Sequence, residues 1–398
     1  MNRIEQIENL KKFQINLNPF PSIDNSGKMF FKREEEIFRE KPEVKMEEVK
    51  IKPVEKEETV EEIQETPKKY DESKYNLTLD KDLFTNVKKA KTRDGFGEAL
   101  VKLGEINENV VALGADLCHS VRAMWFAQKF PERFFQVGIA EANMTGIAAG
   151  LARMGKIPFM STFGVFASGR NWDQIRMSVA YPKMNVKICA SHTGVFSVGE
   201  DGASHQSLED IALMRILPNM TVIVPCDKIE TRKATFAAAE IKGPVYLRFG
   251  REDVPVITTE DTPFNVGKAE VFRDGDDVSI IACGPMVYEA ILASKKLEEE
   301  GIDARVINNH TVKPIDVDAI NKAAVETGAI VTAEEHQIYG GMGSAVAEVL
   351  SQCYPTPIKM VGVKDKFGES GKPDELQRHL NLTADDIVKT VREIIAKK

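Results

Sequence analysis

Residues 198–206 read VGEDGASHQ, which sets an aspartate, Asp201, and a histidine, His205, four positions apart. The stretch holds too much glycine for a helix, and Gly199 and Gly202 let backbone come close to a bound ligand. A carboxylate and an imidazole exchange hydrogen bonds and protons with polar ligands near neutral pH, but the stretch alone leaves the chemistry open. A second histidine, His192, stands in SHTG. Taken singly, a histidine is more often structural than functional. Glu141 lies between alanines in VGIAEANM; alone it reads as a carboxylate favoured by a helix N-terminus. Phe163 and Phe166 in STFGVFASG are core aromatics or flat walls for a planar ligand. The forks of Arg93 and Arg251 suit phosphate oxygens as well as surface carboxylates. Asp116 in GADL is equally consistent with a cap at a strand end.

These residues follow short apolar runs. VVALGADL, RFFQVGI, KIPFMSTFGVFA, VKICASHTG, TVIVPC and PVYLRFG read as buried strands. Between them lie helical patterns such as Val121–Phe130 and the small-residue helix AEANMTGIAAGLARMG, closed by Gly155. Strands alternating with helices predict βα units and a parallel sheet, whose ligands bind at the carboxyl ends of the strands. Glu141, His192, Arg251 and the 198–206 loop are therefore expected to meet at one end of that sheet. A proline-containing linker, REDVPVITTEDTPFNVG, precedes a second α/β unit opened by DVSIIACGPMVYEAILASKKLEEEG, with the boundary near Pro263.

The beginning of the chain differs. More than half of Phe31–Glu72 is charged, a composition that buries too little apolar surface to order itself. Residues 1–85 are expected to form a disordered extension that reads first as a solvated tail or linker; the alternative is that Met29–Phe38 docks an apolar edge onto a partner. A chain of 398 residues with 42% hydrophobic and 29% charged residues otherwise fits a globular protein of two domains. A net charge of −8 argues against nucleic-acid binding, and no apolar run is long enough to span a bilayer. The five scattered cysteines form no CxxC pair and suit a reducing, cytoplasmic compartment.

From about Lys91 onward the chain resembles the C-terminal section of transketolase. The motifs that carry the resemblance are TRDGFGEAL, LGADL, VGIAEANM, STFGVFASGR, SHTGVFSVGEDGASHQSLEDIALMR, PNMTVIVPCD and PVYLRFGRE, in the family's order. The resemblance implies an α/β fold: a parallel-sheet pyrimidine-binding domain over 86–255 and a smaller transketolase C-terminal domain over 263–398. It further implies thiamine diphosphate chemistry. Glu141 would hydrogen-bond N1′ of the aminopyrimidine and favour the imino tautomer that removes the C2 proton. Phe166, with Phe163, would wall the ring, and Asp116 also matches a cofactor-binding position. Gly169 departs from the family, where an aromatic is common. His192 and His205 would move protons and hydrogen bonds to sugar oxygens, Asp201 would accept from a donor-sugar hydroxyl, and Arg93, Ser120 and Arg251 would meet substrate phosphate.

Thiamine-diphosphate enzymes grip the diphosphate through a metal with a GDG…NN motif on another domain. Gly275-Asp276-Asp277 and Asn308-Asn309 imitate it, but the third glycine is absent, and RDGDD reads as a turn before a strand. The resemblance thus implies a split transketolase. A separate N-terminal subunit would supply the diphosphate site with Mg²⁺ or Ca²⁺, as a dimer of heterodimers moving a two-carbon ketol unit between sugar phosphates. The alternatives are a subunit of a 1-deoxyxylulose-5-phosphate synthase-like or other ketose-phosphate enzyme, and a non-catalytic regulatory partner.

Overall fold

A computed structural model describes residues 71–398 and, before them, two short strands, Ser22–Ile23 and Met29–Phe30, paired antiparallel. Apart from those strands, the expected extension up to residue 70, with its docking stretch, lies outside the described residues.

Two sheets organise residues 71–398. The strands of both, in chain order, are β1 (Val110–Gly114), β2 (Phe134–Gln136), β3 (Ile157–Phe163), β4 (Lys187–Ser191), β5 (Thr221–Ile223), β6 (Val245–Arg248), β7 (Glu270–Arg273), β8 (Val278–Ala282), β9 (Ala304–Asn308), β10 (Thr311–Lys313), β11 (Ile330–Gln337) and β12 (Ile358–Val363). The first sheet has the order β10-β5-β6-β4-β3-β1-β2 and is parallel except for β10, which runs antiparallel to β5. The second has the order β7-β9-β8-β11-β12 and is parallel except for β7. Every residue of β1, β4 and β8 is buried, which is why they read as mostly apolar runs without alternation: helices cover both faces of such a sheet.

One apolar core cluster joins the sheets. It contains Ile188 and Tyr246 of the first together with Ile281 and Ile307 of the second, and Met342 and Val346 of the helix Met342–Gln352. Gly275–Asp277 form the expected turn before β8, with Asp277 accepting from the Asp303 amide at 2.7 Å. Asn308 ends β9 and donates to Glu230 at 2.7 Å, so the imitation metal motif is spent on structure.

The N-terminal expectation needs correction at its end. Residues 71–85 are not part of a disordered extension: they pack against the C-terminal half of the chain. Tyr75, Leu79 and Leu83 are buried in one core cluster with Phe272 and Ile291. Tyr75 bridges to Arg273 and Leu79 to Thr258, while the Thr259 and Thr262 hydroxyls donate to the Thr78 carbonyl at 2.7 and 2.6 Å. Three apolar side chains at four-residue spacing outweigh the charged composition around them.

Candidate functional site

The carboxyl ends of the first sheet gather the polar residues. Phe163 ends β3, His192 follows β4, Ser120 lies in the loop after β1, and Arg251 follows β6. Arg93 enters from the first turn of the helix Thr92–Ile106, and Asp201 from the glycine-rich loop. These six, with His119 and Arg122, line a cleft of about 460 Å³. His205 stands edge-on to both Phe163 and Phe166, at 5.7 and 5.5 Å between ring centroids. Asp116 is exposed, in a left-handed conformation with φ 62°, and does not line this cleft.

His192 is the pivot. It is buried, holds φ 59°, and stacks on Phe163 with ring centroids 3.8 Å apart. A non-glycine residue in that region carries strain that the surroundings must hold in place. Its Nε2 lies 3.2 Å from Arg93 Nη1, and a guanidinium only donates. Nε2 is therefore the acceptor, and the proton sits on Nδ1, which has no hydrogen-bond partner among the described residues and lies 3.8 Å from an Asp201 oxygen. Burial, then the charges of Arg93 and Arg251, hold the pKa of His192 down to about 3. The ring is thus a neutral donor at pH 7, with its free N–H beside the cleft.

The cations are unevenly neutralised. Arg251 donates to Asp201 at 2.6 Å, and Arg122 donates to Asp94 at 2.6 Å. Among the described residues, Arg93 has no carboxylate hydrogen-bond partner. Its Nη1 donates to the Ser120 carbonyl at 2.7 Å, its Nε is unpartnered, and burial together with Arg122 lowers its pKa. A buried cation in that position favours an anion.

Glu141 opens the helix Glu141–Arg153 and is 5% exposed. Its Oε1 accepts from Arg170 Nη1 at 3.0 Å, and the Arg170 guanidinium lies 3.8 Å over the ring of Phe166. The rings of Phe166 and Phe163 are nearly parallel, with 21° between their planes and 6.0 Å between centroids. A π-helical turn, Phe166–Arg170, sets the arginine against the phenylalanine four positions before it. Sequence reasoning missed Arg170, Arg122 and His119; the four-residue spacing of Phe166 and Arg170 was the available signal.

The loop that carries Asp201 and His205 is pinned by the second sheet. Glu335 of β11, fully buried, accepts from the amides of Val195 and Ser197 at 2.6 and 2.8 Å and from the Ser197 hydroxyl. Gly194, at φ 84°, passes so close that an added Cβ would lie 2.3 Å from the Glu335 carboxyl carbon. Gln206 closes the loop by donating to the Gly199 and Glu369 carbonyls at 3.0 and 2.8 Å. Among the described residues, no group of three or more His, Cys, Asp or Glu side chains is placed to hold a metal ion, and no helix is long and apolar enough to cross a membrane.

Comparison with known proteins gives a consistent result. Residues 88–256 match the transketolase pyrimidine-binding domain and residues 267–387 the transketolase C-terminal domain. A protein described as a transketolase C-terminal section, from Methanocaldococcus jannaschii, is 48% identical over 77% of this chain and 96% of its own length. A 6-deoxy-6-sulfo-D-fructose transketolase subunit from a Clostridium species is 44% identical over 77% of this chain and 95% of its own length. A solved split-gene transketolase, described as an inactive β4 tetramer, is 52% identical, with a TM-score of 0.72 over 77% of this chain and 98% of that one.

Proposed function

The chain belongs to the transketolase family, and from that premise we propose that it is the C-terminal subunit of a two-chain, thiamine-diphosphate-dependent transketolase moving a two-carbon ketol unit between sugar phosphates. The observation that carries the reading is the convergence of Arg93, Ser120, Phe163, His192, Asp201 and Arg251 on one cleft, with Glu141 and Phe166 joined through Arg170.

The residues fit the pyrimidine end of the cofactor: a buried carboxylate and phenyl faces, already satisfied here by a flat nitrogenous cation. When bound, thiamine diphosphate supplies the carbon nucleophile that a carbonyl transfer of this kind needs. Glu141 would hold the ring nitrogen facing it, and Phe166 and Phe163 would wall the ring. His192 donates its Nδ1 proton as a hydrogen bond to an oxygen that gains negative charge. Asp201 accepts from a sugar hydroxyl, which favours polyhydroxylated substrates, and His205 faces the same space. Arg93 and Arg251 receive the phosphate.

Full-length coverage of relatives described as a section, a subunit or a split-gene product supports a separate partner that grips the diphosphate through Mg²⁺ or Ca²⁺. The deciding assay is ketol transfer from xylulose 5-phosphate to ribose 5-phosphate by the purified chain, with and without that partner. Activity is expected only in the mixture, and robust turnover by the chain alone would overturn the two-chain reading. The Clostridium relative makes 6-deoxy-6-sulfofructose the second donor to test, since a sulfonate suits the same arginines.

A further inference from the structure

We propose that Arg170 is a built-in occupant of the aminopyrimidine subsite, and that the cofactor must displace its guanidinium in order to bind. The proposal rests on the reading of Glu141 and Phe166 as the pyrimidine site and adds a residue that this reading does not contain.

A protonated aminopyrimidine in that site is a flat ring that stacks on a phenyl face and gives an N–H to the carboxylate. The Arg170 guanidinium is also flat and cationic. It lies 3.8 Å over Phe166 and donates to Glu141 Oε1 at 3.0 Å. A stacked ring needs the same separation from the same face, so the two groups compete for one place. Arg170 also has somewhere to go. Its side chain is 51% exposed, and a Cβ added to the neighbouring Gly169 would meet nothing within 4 Å. The absence of an aromatic at Gly169 leaves that space open.

The arrangement has a physical reason. Glu141 is 5% exposed, and a buried carboxylate without a partner is costly. Arg170 satisfies it until the cofactor arrives, at the expense of the cofactor's apparent affinity. A group that occupies a site in the free protein lowers the fraction competent to bind.

The test is a titration of the full-length chain with thiamine, which carries the aminopyrimidine and needs no grip on a diphosphate, followed by tryptophan fluorescence. Trp172 lies two positions from Arg170, with its indole anchored to the Leu213 carbonyl at 2.9 Å. The parent is compared with Arg170→Ala, Arg170→Lys and Glu141→Ala. Arg170→Ala is expected to bind about tenfold tighter, the size of a half-exposed ion pair plus a cation–π contact. Arg170→Lys, which keeps the charge but not the flat face, is expected to fall between. Glu141→Ala is expected to lose binding. Equal or weaker binding by Arg170→Ala, with Glu141 still required, overturns the displacement and leaves the reading of the site standing. Binding that ignores the loss of Glu141 overturns that reading and the displacement with it.

Discussion

Replacing Glu141 by glutamine keeps the size of the side chain and an acceptor for Arg170 but removes the charge. The fold is expected to survive and the activity of the assembled enzyme to fall by about 10²–10⁴-fold, the range for a general acid–base group. Solvent exchange of the C2 proton of bound thiamine diphosphate measures this directly, and exchange as fast as in the parent would remove Glu141 from its role. For Arg93, which has no carboxylate among its hydrogen-bond partners in the described residues, Arg93→Gln is expected to raise KM for phosphorylated ketoses while leaving unphosphorylated ones nearly unchanged. An equal loss on both would show that Arg93 supports His192 rather than the phosphate. Glu141, His192, Asp201 and His205 stand out in the sequence because each lies inside a dense motif, and the structure brings His192 and Asp201 to one cleft. Arg170 does not, because its partner Glu141 is remote in sequence, although it stands four residues after Phe166, the ring its guanidinium covers. Asp116, which its motif marks as a cofactor-binding position, is exposed at φ 62° and lies outside the cleft of Arg93 and His192.

Among the elements, the loop from Thr193 to Ser207 depends on a strand of the other sheet. Glu335→Ala deletes the acceptor for two amides and a hydroxyl. It is expected to lower kcat by about 10²-fold through misplacement of the groups the loop carries, and to destabilise the chain by about 1–3 kcal/mol for each donor left unsatisfied. Steady-state kinetics beside urea unfolding separate the two effects. The sequence announced the parallel strands as apolar runs but not this tie, since a buried glutamate in a strand reads as a poor strand residue until its donors are known. Residues 71–85 were misread for a related reason: the charged composition masked Tyr75, Leu79 and Leu83. Leu83→Ala is expected to cost about 2–5 kcal/mol, seen as a lower urea midpoint, where a solvated tail residue would cost nothing.

Across the whole molecule, buried histidines and buried glutamates oppose each other in their response to pH. His192 titrates at about 3, and burial holds His310 and His336 at about 4, all below the ordinary 6.5. Unfolding therefore takes up protons on them below pH 6.5, and stability falls with falling pH. Burial raises Glu230 and Glu334 to about 7 from 4.5, so unfolding releases their protons between pH 4.5 and 7, and stability rises with falling pH. Glu334→Gln removes one opposing group. The decline of stability from pH 6.5 to 5 is expected to steepen by up to about 1.4 kcal/mol per pH unit, read from urea unfolding at several pH values; an unchanged slope would mean that Glu334 is ionised in the folded state. Lys313 of β10 donates to the Arg215 and Leu217 carbonyls at 2.8 and 2.5 Å, securing that strand beside β5. Thr311–Lys313 belongs to the span that matches the C-terminal domain, yet it finishes the border of the pyrimidine-binding sheet. A protease cut, or a gene fission, between residues 256 and 267 would therefore not yield two independent pieces. Severed and separated, the first would carry a raw selvedge along Thr221–Ile223, open to any stray strand, so the chain is divisible on paper at a seam where the molecule itself is stitched.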